Sequence, residues 1–295
     1  YFQFELGIQS TNNKTLKEIN RTSNWEKIKE NVARLLELKT IHLHSDLIVG
    51  LPYEDLSSLK QSFNDIYSLG AEHFQMGFLK VLPGTEMEEK SNNYGVAYSS
   101  QEPYIVLKNS WLSFEQISML HKIEHLINVF LNPERFNITI KEAINCFGNP
   151  FDFYYNFYLF LDQNVYNFNT KDWEKNGKML LDFIESKFPD KKKIIEDALA
   201  WDWCSTSFVT SYPNFIFNEE SIILKKNIFN GLFPIENNKM IINEEKIDLP
   251  DLKKALYFIV RTDYFKEKYL LGNKVVLFIP KQDKTKNILF LKELL

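Results

Sequence analysis

The sequence predicts an α/β fold. A β-α-β-α-β unit fills residues 1–100, a mainly α-helical region follows at 101–205, and a mixed α/β segment with a few strands closes the chain at 206–295. Two observations carry the first part. Three short apolar runs, the second and third stopped by glycine and proline, are separated by amphipathic helical periods. A third observation carries the rest: beyond residue 110 the apolar residues recur at helical spacing over long stretches, one of them (151–168) dense in Phe and Tyr. Units of the first kind pair their strands in parallel through right-handed crossovers. Three strands do not close a barrel, so they form either the core of an open sheet or a slice of a larger barrel.

The elements follow in order. Phe4 to Gln9 reads as a buried strand, and Thr11 to Asn20 as a short helix. Ser23-Asn24-Trp25-Glu26 reads as a capping box, after which Trp25, Ile28, Val32, Leu35 and Leu36 share one face. Leu43 to Val49 is the second strand, ended by Gly50-Leu51-Pro52. Leu56, Leu59, Phe63, Ile66 and Leu69 mark a helix that Gly70 closes. Phe74 to Val81 is the third strand, and Tyr94 to Ser110 reads as extended or loop. Ser113-Phe114-Glu115-Gln116 opens a helix with a second capping box. Helices are expected at 138–146, 150–163, 173–187 and 190–203. Ala255 to Val260, Lys274 to Ile279 and Asn287 to Leu291 read as strands, with a helix between the first two.

At about 150 residues per domain, 295 residues correspond to about two domains. The charge sum, 35 − 39 = −4, forces no strongly basic face, so nucleic acid is not the expected partner. No apolar run approaches the length of about 18 residues that spans a membrane. Two cysteines exclude a disulfide framework and point to a reducing, cytoplasmic setting. They also exclude a three-cysteine iron–sulfur site within this chain. The chain opens without methionine, inside an apolar run, and reads as a piece cut from something longer.

In parallel α/β folds, ligands gather at the C-terminal ends of the strands. Three segments take that place: Gly7-Ile8-Gln9-Ser10, Asp46 through Glu54, and Leu79 through Glu86. Each sets polar residues beside a glycine or proline, and glycine lets a ligand approach the backbone. Gln9 and Ser10 can hydrogen-bond a ribose or an amino-acid group, and Arg21 and Lys80 can meet a carboxylate. Ordinary turn chemistry explains any one segment; three in register are harder to dismiss.

Together these segments resemble radical S-adenosylmethionine enzymes. Glu5-Leu6-Gly7-Ile8-Gln9-Ser10-Thr11, followed by Leu16 and Arg21, is similar to the fourth barrel strand of that family. Asp46-Leu47-Ile48, Gly50, Leu51 and Pro52 resemble its fifth-strand motif, and Pro83-Gly84-Thr85 the turn after its sixth. The subgroup most resembled is the cobalamin-binding-domain type, including a branch often labelled anaerobic magnesium-protoporphyrin monomethyl ester cyclase and related to oxygen-independent coproporphyrinogen oxidases. Tyr104 to Asn132 is similar to the start of that branch's uncharacterised helical C-terminal domain. The resemblance implies a partial TIM-type barrel within residues 1–100. It implies that Gln9 and Arg21 contact S-adenosylmethionine, that Ile48 packs on its adenine, and that Gly50 lies beside it. Glu5, on the same strand, would line the barrel. From their places at the strand ends, and not from the resemblance, Ser10 is expected at the ligand and Lys80 at the barrel mouth.

The resemblance also implies a [4Fe-4S] cluster and, through a further domain, cobalamin in the intact protein. The cluster's closely spaced cysteines are absent, and so is the glycine-rich segment that binds the methionine amino group. Cys146 and Cys204 stand 58 positions apart and read as buried free thiols. The chain is therefore expected to be inactive alone, a fragment of a bacterial oxidoreductase or methyltransferase acting on an unknown small-molecule substrate. Two other readings compete. One is a non-catalytic interaction scaffold. The other is a zinc hydrolase built on His121-Lys122-Ile123-Glu124-His125, whose two histidines share a helix face. His42 and His44 alternate on the second strand and face one side; polar contacts at the strand entrance are favoured there over a metal pair.

Overall fold

The computed structural model describes residues 2–164, 166, 170, 172–205, 211–216, 219–242, 244–270, 272, 274–280 and 286–291. The chain divides into two compact units: Tyr1–Pro133 with Phe147–Val165, and Glu134–Cys146 with Tyr166–Leu295. These divisions differ from the sequence boundaries at 100 and 205; residues 206–210, beside the second boundary, lie outside the described residues.

In the first unit, strands β1 (Phe2–Gln9), β2 (Ile41–Val49) and β3 (His73–Phe78) form one parallel sheet in the order β1-β2-β3. Helices α1 (Asn13–Glu18) and α2 (Trp25–Glu37) cross from β1 to β2, and α3 (Leu56–Ser68) crosses from β2 to β3. The expected first helix is shortened at both ends. Asn12 caps it through its side chain, and the chain turns at Asn20 with a φ of 56°. The next helix is capped by Asn24, which accepts from the Lys27 amide; Ser23 does not form the expected box.

Alternate residues of β2 explain the layering. Leu43, Leu47 and Val49 are fully buried on one face, with Leu59, Phe63 and Ile66 of α3 also in the core. Each such side chain contributes about 1.5–3 kcal/mol by leaving water. Beyond the short α4 (Glu86–Glu89), the stretch read as extended forms a two-stranded hairpin, β4 (Ala97–Tyr98) with β5 (Val106–Lys108). Helix α5 (Phe114–Leu126) opens on the expected Ser113–Gln116 capping box and runs into a π-turn at Ile127–Leu131. Helix α7 (Pro150–Gln163) joins this core because Phe151 and Phe74 both meet Phe63 edge-to-face, at 5.4 and 4.9 Å. That contact joins α7 to the first compact unit.

In the second unit, α6 (Asn137–Phe147), which the unit includes up to Cys146, accompanies α8 (Trp173–Lys187) and α9 (Lys192–Ser205). Helix α9 carries two buried carboxylates. Asp202 accepts the Ile138 and Thr139 amides and the Thr139 hydroxyl at the start of α6. Asp197 does the same for Arg261 and Thr262. Helix α10 (Glu219–Asn227) leads to a meander of β6 (Ile235–Glu236), β7 (Lys239–Ile242) and β8 (Glu245–Asp248), which the sequence reading did not contain. After α11 (Leu249–Lys254), strands β9 (Leu256–Ile259), β10 (Val275–Pro280) and β11 (Lys286–Leu291) form an antiparallel sheet at the three expected places. Helix α12 (Asp263–Phe265) lies between the first two. Trp201 packs edge-on to Phe278 and Cys204 is fully buried, so the end of α9 packs into the core. No helix among the described residues is long and apolar enough to cross a membrane.

Candidate functional site

The in-register parallel strands sort the open face of the first unit into rows. Glu5, His44 and His73 are aligned; Asp46 is aligned with Gln75, and Ile48 with Gly77. The helix-covered face is apolar, whereas this one is polar and half-exposed. Burial and the nearby Glu5 push the Asp46 carboxyl above its ordinary range, with His44 pulling the other way. Ile48 lies across the bare backbone of Gly77: a Cβ there would stand 2.8 Å from Ile48 Cδ1.

At the C-terminal end of β1, three of the expected elements meet. Arg21 donates from its guanidinium to the Gly7 carbonyl at 2.5 Å. The Gln9 amide nitrogen lies 3.0 Å from where a Gly7 Cβ would be, and the Arg21 guanidinium 3.7 Å from it. Gln9 itself has a φ of 72°, a left-handed conformation that costs a non-glycine residue energy and recurs at functional sites. A cleft of about 500 Å³ adjoins Arg21, lined by Asn20, Thr22 and Ser23 and by apolar residues such as Leu16, Val32 and Leu35; Gln9, Ile48 and Gly50 do not line it.

Ser10 departs from its expected role. It is buried, and its hydroxyl donates to Glu54 Oε1 at 2.5 Å while accepting from the Asn12 amide. Ser62 of α3 donates to the same oxygen at 2.7 Å. Ser10 is thus committed to tying the end of β1 to the loop after β2, and its hydroxyl does not face a ligand. Burial raises the Glu54 carboxyl to about 7, against the pull of its two serine hydrogen bonds. Glu54 lies 44 positions from Ser10; it ends the second of the expected strand-end segments, but its pairing with Ser10 has no local signal in the sequence.

Gly50 is explained by the hairpin above it. Its φ is +91°, and a Cβ would stand 2.7 Å from Val106 Cγ1. Its carbonyl accepts from the Asn109 side chain at 2.9 Å. Lys80 is exposed and pairs through its backbone with Ile105. His121 stacks on Phe78 with ring centroids 3.5 Å apart, a packing contact. His73 stacks on His44, which His42 meets edge-on, and among the described residues no group of three or more His, Cys, Asp or Glu could hold a metal ion. Cys146 is half-buried, its thiol donating to the Glu142 carbonyl, and Cys204 is buried; both lie in the second unit.

Comparison with known proteins bears on the segment that supplies Val106 and Asn109. Residues 92–290 match a family described as a protein of unknown function, DUF4080. The chain belongs to the DUF4080 family. It is also 28% identical over 107 residues to an uncharacterised protein, YtqA, of Bacillus subtilis (strain 168). That match covers 36% of this chain and 33% of the relative, so the chain spans about a third of the length of the curated protein it matches. The DUF4080 segment reaches the parallel sheet and its strand ends within the first unit. Asn109 holds the Gly50 carbonyl, and Asn132 pairs with Phe74 on β3.

Proposed function

We propose that this chain is the C-terminal portion of a cobalamin-binding radical S-adenosylmethionine enzyme, its parallel sheet a slice of that family's barrel. DUF4080 is a domain found in cobalamin-binding radical SAM proteins, which supports the reading. The observation that carries it is the convergence of Gln9 and Arg21 on Gly7, at the C-terminal end of a parallel strand and beside a polar sheet face. The guanidinium can take a carboxylate, and the Gln9 amide offers both a donor and an acceptor. Ile48 supplies an apolar surface suited to a flat base. Glu5 faces the same side of the sheet, and Lys80 follows β3.

The residues present do not fit an iron–sulfur cluster. Three thiolates are needed, and the two here are separated, one hydrogen-bonded and one buried. The reaction's radical step therefore cannot be assigned to this chain's residues. Their part is to bind and orient one end of S-adenosylmethionine for chemistry on an unknown small molecule. The test has two parts. The reading frame upstream of Tyr1 is expected to encode three closely spaced cysteines; a stop codon followed by a start at this boundary would overturn the proposal. In the intact protein, reconstituted anaerobically with iron and sulfide, Arg21→Ala and Gln9→Ala are each expected to weaken S-adenosylmethionine binding at least tenfold. Unchanged affinity in both variants would remove these residues from the site.

A further inference from the structure

The loop after β2 is held by the segment that carries the DUF4080 match. Asn109 is buried, and its Oδ1 accepts the Trp111 and Leu112 amides at 2.9 and 2.8 Å. Those two bonds fix the orientation of the side-chain amide, so it is Nδ2 that donates to the Gly50 carbonyl at 2.9 Å. Glycine can take either hand, so the direction of its carbonyl is set by its partner more than by its own backbone. Here the partner holds it at a φ of +91°, close against Val106. Three residues further on, Tyr53 has a φ of 62°, and its ring lies 4.7 Å from Trp111 and 6.4 Å from Tyr94. A left-handed tyrosine costs energy and persists only where its surroundings hold it. Asn109 and Trp111 stand two positions apart, so one turn of the DUF4080 segment grips residues 50–53 at both ends.

We propose that Asn109 is a positioning residue for S-adenosylmethionine, acting through Gly50 to hold the loop after β2 in the shape that lets the ligand's base lie on Ile48. This rests on the proposed function, in which Ile48 supplies that surface. Gly50 stands two positions beyond Ile48, just past the C-terminal end of β2, where parallel sheets bind their ligands. Asn109 is buried and spends its amide on the protein, so it reaches the site only through the glycine. The far end of the same loop is fixed independently, by the Ser10 and Ser62 hydroxyls on Glu54. Releasing Gly50 therefore frees the part of the loop nearest Ile48 and leaves the Glu54 end seated.

Asn109→Asp tests the hold with almost no change of shape. An aspartate still accepts the Trp111 and Leu112 amides, but it sets an ionised oxygen against the Gly50 carbonyl where the donor stood. In the intact protein, reconstituted anaerobically with iron and sulfide, this variant is expected to bind S-adenosylmethionine at least fivefold more weakly by equilibrium dialysis. Asp202→Ala, which loosens the start of α6 in the second unit, is expected to keep the wild-type affinity. Wild-type affinity in Asn109→Asp, or an equal loss in Asp202→Ala, would overturn the proposal. Should Asn109→Asp fail to fold, amide exchange in the wild type decides. Linkage requires S-adenosylmethionine to strengthen the hold that favours it, so exchange at the Trp111 and Leu112 amides is expected to slow at least threefold on binding. An unchanged rate would sink the proposal. A wild type that binds no S-adenosylmethionine would overturn the proposed function itself, and this inference with it.

Discussion

The hydroxyl of Ser10 and the carboxyl of Glu54 form a 2.5 Å hydrogen bond in the interior of the first unit. The burial of that carboxyl, which outweighs the bond, gives the fold a pH signature of definite sign. Burial raises the Glu54 pKa from 4.5 to about 7, so the folded chain holds this proton more tightly than the unfolded one. Its contribution to stability is fully present below pH 4.5, declines between pH 4.5 and 7, and is constant above. At about 1.4 kcal/mol per pKa unit, the decline amounts to about 3 kcal/mol. Urea unfolding at pH 5, 7 and 8 should show it. Glu54→Gln should remove most of the slope; an unchanged slope would place the titration elsewhere.

Gly7→Ala separates binding from folding. The nearest atom to a new Cβ is the end of the flexible Gln9 side chain, at 3.0 Å. The stability cost is therefore expected to stay within about 0.5 kcal/mol. Affinity of the intact protein for S-adenosylmethionine should nevertheless fall, because the displaced amide is a proposed contact. Isothermal titration beside thermal melting would distinguish the two effects.

Gly50→Ala is expected to destabilise by about 2–3 kcal/mol. It combines a strained φ of +91° with a 2.7 Å approach to Val106 Cγ1. Val106→Ala should recover the steric share and leave the conformational one. A double-mutant cycle with no coupling between the two positions would refute the contact.

Asp202→Ala removes three hydrogen bonds from the start of α6, two of them from backbone amides. A loss of about 3 kcal/mol is expected on chemical unfolding. Asp202→Asn keeps one acceptor oxygen and should recover part of it. Equal losses for the two variants would show that charge, and not the number of acceptors, is what α6 needs.

Much of the backbone was legible in the sequence because apolar spacing reports local geometry. The three parallel strands, the Ser113 cap and the helices near 138–146, 150–163, 173–187 and 190–203 all rest on local patterns. The meander was not legible. Its strands are two to four residues long, and it turns at Asn237 and Asn238, both left-handed, among charged residues with few apolar positions to count. The site divides the same way. Gln9 and Arg21 lie close together in the chain and meet at Gly7, whereas the hydrogen-bond partner of Ser10, Glu54, is remote in sequence. Asn132 gave no signal at all, since a side chain that imitates a strand has no periodicity.

The π-turn at Ile127–Leu131 has a consequence for how this sequence can change. Its i→i+5 bond, from the Asn132 amide to the Ile127 carbonyl at 3.0 Å, takes up one residue more than an α-helical turn would. Each residue of an α-helix advances the side chains by about 100°. Deleting a single residue between 127 and 131 would restore a regular helix and leave Asn132 over the Ile127 carbonyl, whereas a second deletion would turn its side chain about 100° away from Phe74. The turn works as a phase adjustment of one codon: the helix can lose one residue here and keep its seat, but not two.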